Sequence, residues 1–278
     1  MDTKILDFNQ NLGHLITLDI FNQYDELIII TDHNIMQIYS IVLDIIKMGF
    51  SKIGKKIFIY SFLPGEKSKN LEIKTKIENF MFSNNISRSK SCLLALGGGV
   101  VGDISGFVAS TYKRGIDFIQ IPTTVISMVD SSIGGKNGIN NQYGKNLVGT
   151  FYQPKYILIF YTFLESLPET ELINGMAEII KIAALSPKPY LWNILSSNNL
   201  KSIKKNPKIL HKMIIEAAYL KVEICTKDIY DNSISKNIKL DIPREHLNFG
   251  HTIGHIIEYS ENIPHGYAVS LGMIYELK

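Results

Sequence analysis

The chain of 278 residues is poor in several residue types, and each shortage excludes a class of protein. Its two cysteines, Cys92 and Cys225, are too few for a disulfide framework, and both stand in apolar segments that predict buried thiols in a reducing compartment. No apolar run reaches the roughly 18 residues that span a membrane. The first residues, MDTK, begin no apolar core of the kind that a signal peptide carries. We therefore expect a cytoplasmic protein.

A strong charge of either sign is also missing. The 29 lysines and arginines stand against 26 acidic residues, and the net charge of +3 is too mild by itself to indicate a nucleic-acid partner. Hydrophobic residues make up 45% and charged residues 20%, which is a globular rather than a disordered composition. The composition favours a folded protein of one or two domains with a small-molecule partner, and neither nucleic acid nor membrane.

Two patterns divide the chain at about residue 167. Before it, short β-branched runs predict strands at 26–31, 56–62, 92–96, 116–121 and 156–161, with helices near 34–48, 69–83 and 100–112. After it, only helices are expected, near 169–185, 207–226, 245–259 and 267–277, with a polar loop at 227–243. Alternating strands and helices indicate parallel pairing. The sequence thus predicts a Rossmann-like α/β domain over residues 1–167 and an all-helical domain over 168–278.

A glycine motif follows the third predicted strand. Gly97, Gly99 and Gly102 fit G-x-G-x-x-G between a strand and a helix, where backbone N–H groups can approach a pyrophosphate. Asp32, with Asn34 after it, ends the first predicted strand, where a carboxylate can accept hydrogen bonds from a ribose. The alternatives are a tight turn without ligand and, with equal weight, a helix N-cap at Asp32. We favour the dinucleotide site.

The segment 122–149 is too long for an idle connection. It places Asp130, Lys136, Lys145 and Asn146 among five glycines and many hydroxyl side chains. Such a composition suits a small anionic ligand, either a carboxylate or a phosphate. The alternative is a flexible surface loop, but the interspersed apolar residues favour a folded, functional one.

Histidines cluster near the end of the chain. His251 and His255 are four residues apart on a predicted helix and so share a face. Glu178 lies in an apolar helical segment, where a carboxylate is costly unless it is paired or bound to metal. A Glu/His/His set with an open position is the donor set of a catalytic zinc site. Two ordinary helix histidines, with a surface pair of Glu178 and Lys181, explain the pattern equally well.

Five longer blocks resemble 3-dehydroquinate synthases: LALGGGVVGDISGFVASTYKRGIDFIQIPTT, VDSSIGGKNGINNQYGKNLVGTFYQP, LPETELINGMAEIIK, LNFGHTIGHIIE and PHGYAV. The segments IENFMFSNNISRSK, FLESLP and INGMAE are most similar to the N-terminal synthase domain of the fungal pentafunctional AROM polypeptide. The resemblance implies conversion of 3-deoxy-D-arabino-heptulosonate 7-phosphate to 3-dehydroquinate and phosphate, in the shikimate pathway. It further implies transient reduction of NAD, a bound zinc or cobalt ion, a homodimer, and further shikimate-pathway domains linked to the intact polypeptide.

The resemblance also assigns residues. It implies three metal ligands: Glu178, His251 and His265. It implies substrate contacts at Asp130, Lys136, Lys145, Asn146, Lys181, Lys221, Arg244, Asn248 and His255, of which Asp130, Lys181 and His255 are the expected catalytic residues. Arg114 is expected to reach the substrate phosphate of a neighbouring subunit. NAD contacts are implied at Asp32, Asn34, Glu66, Lys69, Gly98, Gly99, Val100, Asp103, Thr123 and Thr124.

The chain departs from the family pattern at several places. Tyr267 stands where the family has a glutamate after His-Gly, which is expected to weaken support for the metal, and Asn137 replaces a threonine. The segment 228–243 is longer than its family counterpart. The family continues beyond this chain, so we expect a C-terminally truncated fragment with apolar surface exposed on the helical domain. The alternative functions are a zinc- or iron-dependent NAD polyol dehydrogenase of the same fold and an inactive nucleotide-binding relic.

Overall fold

The computed structural model describes residues 3–231, 242–261 and 263–278, so most of the polar segment predicted at 227–243 lies outside the described residues. The chain forms two compact units. The first comprises Met1–Thr123 and Gly135–Glu165, and the second comprises Thr124–Gly134 and Ser166–Lys278. Among the described helices, none is long and apolar enough to cross a membrane.

The first unit contains a parallel sheet of six strands: β1 (Lys4–Phe8), β2 (Glu26–Asp32), β3 (Lys56–Phe62), β4 (Ser91–Gly97), β5 (Asp117–Pro122) and β8 (Tyr156–Phe160). Their order in the sheet is β1-β8-β5-β4-β2-β3. Every residue of β4 and the middle five of β2 are buried. Their continuous apolar runs are what a parallel strand covered on both faces requires. The five predicted strands are confirmed, whereas β1 was not expected.

The strand order creates a switch point between β2 and β4. The chain passes from β2 outward to β3 on one side, and from β4 outward to β5 on the other. In open α/β sheets, ligands bind beyond the carboxyl ends of the strands at such a point. The residues at these two ends are Asp32 and Gly97.

Four helices complete the first unit: α1 (His33–Ile38), α2 (Ser40–Lys52), α3 (Leu71–Ser83) and α4 (Gly99–Thr111). Ile28, Ile30 and Leu93 of the sheet pack with Val101 and Ile104 of α4 in a buried core. The helix expected at 34–48 is two helices, divided at Tyr39, which ends α1.

The segment 122–149 is folded, as expected, but into elements that its composition hides. Ser127–Ser131 form a short π-helical turn that belongs to the second unit. Residues further on form an antiparallel hairpin of β6 (Lys136–Asn141) and β7 (Gly144–Phe151) in the first unit. The hairpin packs on α4 at Gly106, where a Cβ atom would lie 1.9 Å from Asn137 Oδ1. A glycine is therefore required at this contact.

The helices of the second unit are α5 (Glu169–Leu185), α6 (Tyr190–Ser196), α7 (Leu200–Lys205), α8 (Pro207–Lys227), α9 (His251–Glu261) and α10 (His265–Glu276). The short α6 and α7 were not expected. The helix predicted at 245–259 is instead a 3-10 turn, Arg244–Asn248, followed by α9. The break falls at Gly250, whose φ of +80° is incompatible with a continuous right-handed helix. Helices α9 and α10 approach closely at Gly272, where a Cβ atom would lie 2.0 Å from the Gly250 carbonyl oxygen.

Candidate metal centre and nucleotide site

Glu178 is the buried carboxylate around which the helical unit arranges its chemistry. Its side chain is 0% exposed, in the middle of α5. Lys181, one turn later, forms an ion pair with it and is also buried. Among the described residues, neither carboxylate oxygen accepts a well-aligned hydrogen bond. The surface-pair alternative is therefore wrong, and a buried carboxylate with unfilled acceptor sites is what a metal ligand presents before the ion binds.

Two histidines direct the same ring nitrogen toward this carboxylate. His251 Nε2 lies 3.8 Å and His265 Nε2 lies 3.6 Å from Glu178 Oε1. The other nitrogen of each ring has its own partner: His251 Nδ1 is 3.2 Å from the Phe249 carbonyl oxygen, and His265 Nδ1 is 2.9 Å from Glu258 Oε2. A proton on each Nδ1 leaves both Nε2 atoms to bind an ion, which is the usual arrangement of metal-bound histidine.

One ligand atom from each of Glu178, His251 and His265 falls within 4.8 Å of the others. A carboxylate and two imidazoles around one point provide three protein ligands and leave a further position for substrate or water. The residues therefore fit a divalent metal ion. Spacing alone favoured His255 as a partner of His251, but His255 is exposed, and the second imidazole directed at Glu178 is that of His265.

Charges of opposite sign alternate away from this centre. Lys221 contacts the Asp130 carboxylate and donates to the Asp130 carbonyl oxygen at 2.8 Å. Lys181 Nζ lies 3.7 Å from Asp130 Oδ1 and also pairs with Glu178. The charges therefore alternate in the order Lys221, Asp130, Lys181 and Glu178. The structure thus brings Asp130 of the segment 122–149 together with Lys221 and with the pair of Glu178 and Lys181.

The pKa values of these groups follow from the alternation. Burial raises the pKa of Asp130, but the charges of Lys221 and Lys181 outweigh it and hold that pKa well below its usual value. Burial and the Asp130 charge likewise raise the pKa of Glu178, yet Lys181 and the two histidines bring it below normal. Burial lowers the pKa of Lys181, but the two carboxylates raise it overall. All three groups are therefore ionised at neutral pH.

The two ligand histidines differ in charge preference. Burial, followed by the nearby Lys181, lowers the pKa of His251. Burial also acts to lower the pKa of His265, but its contacts with Glu178 and Glu258 raise it to about 9. His251 is therefore neutral near pH 7. Without metal, His265 carries a proton on both nitrogens, and an ion at the centre would take the place of the Nε2 proton.

Arg244 is buried and held by backbone. Its guanidinium donates to the carbonyl oxygens of Asp228 at 2.6 Å, Ile229 at 2.8 Å and Gly134 at 3.0 Å. Three hydrogen bonds to carbonyls fix neighbouring loops of the helical unit. Of the other residues expected at the substrate, Asn248 ends the 3-10 turn and is exposed.

Tyr267 is exposed on the first turn of α10. A carboxylate reaches the His265 ring from α9 instead, through Glu258. Tyr267 offers no carboxylate to the metal ligands, but Glu258 places one beside His265, and the sequence analysis did not identify Glu258. Glu258 stands seven residues before His265 on another helix, so no helical spacing pointed to it.

The glycine motif forms the start of α4 beyond the end of β4. Gly98 is the N-cap residue, and among the described residues no side chain caps this end of the helix. The first N–H groups of a helix have no partner within the helix, and the helix dipole makes its N-terminus favourable for an anion. An uncapped N-terminus at the sheet's switch point therefore fits a dinucleotide pyrophosphate. Gly98, Gly99 and Val100 are all partly exposed there.

Asp32 ends β2 on the other side of the switch point. Its Oδ1 accepts a hydrogen bond from the Ile35 N–H at 3.0 Å, so the N-cap alternative is confirmed for that oxygen. Asn34, in the first turn of α1, is exposed. Thr123 is buried after β5, and its N–H donates to the Gly97 carbonyl oxygen at 3.0 Å. In the second unit, the Thr124 hydroxyl bonds Ser127 Oγ at 2.9 Å.

A buried lysine joins three elements of the first unit. Lys69 Nζ contacts the Asp103 carboxylate on α4 and Asn146 Oδ1 on β7. Glu66 Oε1 accepts a hydrogen bond from Asn140 Nδ2 at 2.7 Å, and Asn140 Oδ1 accepts one from the Asn146 N–H at 2.9 Å. Asn140 was missed by the sequence analysis, because one asparagine in an asparagine-rich turn carries no distinguishing signal.

The remaining cations expected at the substrate are exposed in the first unit: Arg114, Lys136 and Lys145. Arg114 has φ of +69° and follows Lys113 with φ of +47°. Two successive non-glycine residues in the left-handed region are uncommon, and such conformations concentrate at functional sites.

Comparison with known proteins gives consistent matches. The family described as 3-dehydroquinate synthase N-terminal matches residues 59–174, and 3-dehydroquinate synthase C-terminal matches residues 175–278. The 3-dehydroquinate synthase of Streptococcus pneumoniae serotype 19F (strain G54) is 41% identical over 257 residues, covering 91% of this chain and 68% of that protein. The same figures hold for the 3-dehydroquinate synthase of S. pneumoniae strain ATCC BAA-255 / R6.

Solved structures share the fold. A 2-deoxy-scyllo-inosose synthase complexed with carbaglucose-6-phosphate, NAD+ and Co2+ has a TM-score of 0.80 at 27% identity, covering 98% of this chain and 70% of that one. A 2-epi-5-epi-valiolone synthase from Streptomyces hygroscopicus with NAD+ and Zn2+ bound has a TM-score of 0.84 at 24% identity, covering 98% and 73%. An iron-containing alcohol dehydrogenase reaches 0.72 at 16% identity, covering 97% and 74%, and so shares the fold alone.

Proposed function

The chain belongs to the 3-dehydroquinate synthase family, and from that premise we propose how its residues share the reaction. It converts 3-deoxy-D-arabino-heptulosonate 7-phosphate to 3-dehydroquinate and inorganic phosphate, a step toward chorismate and the aromatic amino acids. One observation carries the assignment of roles: a wholly buried glutamate with two histidine Nε2 atoms directed at it.

NAD and a metal ion are the cofactors, and we propose zinc, with cobalt as a substitute, at Glu178, His251 and His265. When bound, the ion supplies Lewis-acid polarisation of a substrate oxygen. The support is the charge and direction of the three side chains. A carboxylate with unfilled acceptors and two imidazoles with their Nδ1 atoms engaged suit a divalent cation of this kind.

For NAD we propose contacts at the switch point of the sheet. A bound nicotinamide would supply reversible hydride transfer with no net oxidation. The uncapped start of α4 supports a pyrophosphate contact, and Asp32 Oδ2 is proposed as the ribose acceptor. The proposed set is Asp32, Asn34, Glu66, Lys69, Gly98, Gly99, Val100, Asp103, Thr123 and Thr124.

Charged side chains of the helical unit are proposed to bind and orient the substrate. Asp130 fixes the ammonium groups of Lys181 and Lys221, which then donate to the anionic oxygens of the sugar acid. The exposed imidazole of His255 is proposed to accept and return a proton, which is the commonest role of a histidine side chain in general acid–base catalysis. The remaining proposed substrate contacts are Lys136, Lys145, Asn146, Arg244 and Asn248.

We propose a homodimer in which Arg114 serves the partner's substrate phosphate. The exposed, left-handed turn at Lys113 and Arg114 supports a role beyond its own unit. Mixing Arg114→Ala chains with Glu178→Ala chains tests this, because each variant alone is expected to be inactive. Subunit exchange then restores one complete site per heterodimer, or about a quarter of all sites. Failure to restore any phosphate release would contradict the shared site.

The wider context is also proposed. Two buried cysteine thiols, Cys92 and Cys225, support a cytoplasmic location. The sequence blocks similar to the AROM polypeptide support covalent linkage to further shikimate-pathway domains. We retain residue 167 as the boundary between nucleotide-binding and metal-binding domains. The support is the metal-ligand set, all of which follows that boundary.

The function is tested with the full chain, heptulosonate phosphate, NAD and zinc, following phosphate and NADH together. The synthase releases phosphate while NADH absorbance shows no net rise. A polyol dehydrogenase of the same fold would accumulate NADH without phosphate, and a nucleotide-binding relic would produce neither. Glu178→Ala is the matched control, which should lose phosphate release while still binding NAD.

A further inference from the structure

Glu258 lies beside the metal centre without belonging to the proposed ligand set. It stands on α9 with its side chain 15% exposed, and its Oε2 is 2.9 Å from His265 Nδ1. The other nitrogen of the same ring, Nε2, is 3.6 Å from Glu178 Oε1. The His265 ring is therefore aligned between two carboxylates, one on each nitrogen.

We infer that Glu258 is a positioning residue that holds the proton on His265 Nδ1 and orients the ring, so that Nε2 is left to bind the metal ion. The inference rests on the proposed function, because it presupposes a metal ion at Glu178, His251 and His265. Its physical basis is general: an imidazole whose Nδ1–H donates to a carboxylate is fixed in one tautomer and one orientation, and its other nitrogen becomes a stronger ligand.

The two ligand histidines are supported differently. The acceptor for His251 Nδ1 is the neutral carbonyl oxygen of Phe249, two residues away on the same backbone. The acceptor for His265 is a charged side chain from the neighbouring helix. Replacing Glu258 therefore removes the acceptor of His265 Nδ1 and leaves the acceptor of His251 Nδ1 in place.

A second arrangement uses the same residue. Glu258, His255 and His265 also place one ligand atom each within 4.8 Å of one another. In that arrangement Glu258 would itself bind a second ion, and His265 would donate Nδ1 to the metal rather than to Glu258. The number of ions bound per chain separates the two arrangements.

The experiment measures zinc affinity of the metal-free full chain by competition with a chromophoric chelator. Wild type is expected to bind one zinc ion, and Glu258→Ala to bind one with affinity reduced about 10- to 100-fold. Glu258→Gln should lose less, because its amide oxygen still accepts from Nδ1–H. Glu261→Ala, an exposed glutamate on the same helix, is the matched control and should bind as wild type does.

A spectroscopic measurement adds a readout that a purely structural role would leave unchanged. In zinc-loaded wild type, nitrogen-15 NMR should show a hydrogen-bonded His265 Nδ1–H, which Glu258→Gln retains and Glu258→Ala loses. If circular dichroism shows that Glu258→Ala does not fold, the zinc affinity of Glu258→Gln decides: the inference predicts that it is weaker than that of wild type.

Three results would overturn the inference. Equal zinc affinity in Glu258→Ala and Glu261→Ala would show that the contact does nothing for the metal. Loss of a second zinc equivalent in Glu258→Ala would make Glu258 a ligand. No zinc binding by wild type would remove the proposed metal centre itself, and with it any residue that positions a ligand there.

Discussion

Replacing Glu178 by glutamine keeps the size of the side chain but removes its charge. The glutamine fills the same buried space, so no cavity contributes to the effect. A full set of four zinc ligands binds with about 10 to 16 kcal/mol, so one ligand among the four accounts for about 2.5 to 4 kcal/mol. Because 1.4 kcal/mol is a factor of ten, we expect Glu178→Gln to weaken zinc binding by at least about 50-fold.

The same substitution alters the stability of the metal-free chain. Breaking a buried ion pair costs about 3 to 5 kcal/mol when one charge is left behind. Lys181 retains Asp130 at 3.7 Å as a second partner, so we expect the lower end, about 3 kcal/mol. Urea unfolding of the metal-free variant measures this loss.

Glu169→Gln is the matched control. Glu169 lies on the same helix, is 56% exposed and pairs with Lys204 at the surface, so its loss should cost less than about 1 kcal/mol and leave zinc binding unchanged. Chelator competition, phosphate release and NAD binding are measured on both variants. If Glu178→Gln binds zinc and releases phosphate as wild type does, the metal-centre reasoning is wrong.

Three further outcomes are expected. Contacts with two carboxylates raise the pKa of His265 from 6.5 to about 9. The protonated imidazole should therefore stabilise the metal-free chain fully below pH 6.5, and at most about 3 kcal/mol of unfolding free energy should be lost as the pH rises through 9. Urea unfolding as a function of pH should show this loss, and His265→Gln should abolish the pH dependence. Gly272→Ala places a Cβ atom 2.0 Å from the Gly250 carbonyl oxygen, so the substitution should lower the free energy of unfolding by about 1 to 3 kcal/mol and weaken zinc binding. Ser270→Ala, on the same helix, is the control and should change neither quantity. Asp32→Ser should weaken NAD binding about tenfold while keeping the N-cap of α1. Asp32→Ala should weaken NAD binding as well and also lose about 1 kcal/mol of unfolding free energy. Unchanged NAD affinity in both variants would contradict the proposed ribose contact.

The strands of the sheet were predictable because burial on both faces leaves a continuous apolar run, as in β2 and β4. The order of the strands in the sheet was not predictable, because pairing between strands that are distant in sequence produces no local sequence pattern. The switch point that makes Asp32 and Gly97 neighbours of one site is therefore visible only in the fold. The hairpin β6–β7 was not predicted because it is rich in glycine and asparagine, and these residues favour turns over strands.

At the metal centre, helical spacing paired His251 with His255. His251 and His255 share a face of α9, but the second imidazole near Glu178 is His265, from the next helix. Only the close packing of α9 on α10 brings it there, and that packing depends on glycines at Gly250 and Gly272. The resemblance to a family supplied His265, whereas residue-by-residue reasoning did not.

The short segment Thr124–Gly134 has a consequence for how this architecture can be inherited. The chain leaves the sheet unit, enters the helical unit for these eleven residues, and returns before its final departure at Ser166. A recombination event that transplanted only residues 168–278 onto another scaffold would deliver Lys181 and Lys221 without Asp130. Lys221 would then lose its carboxylate partner and Lys181 would keep only Glu178, so a transplanted helical half would need a replacement for Asp130.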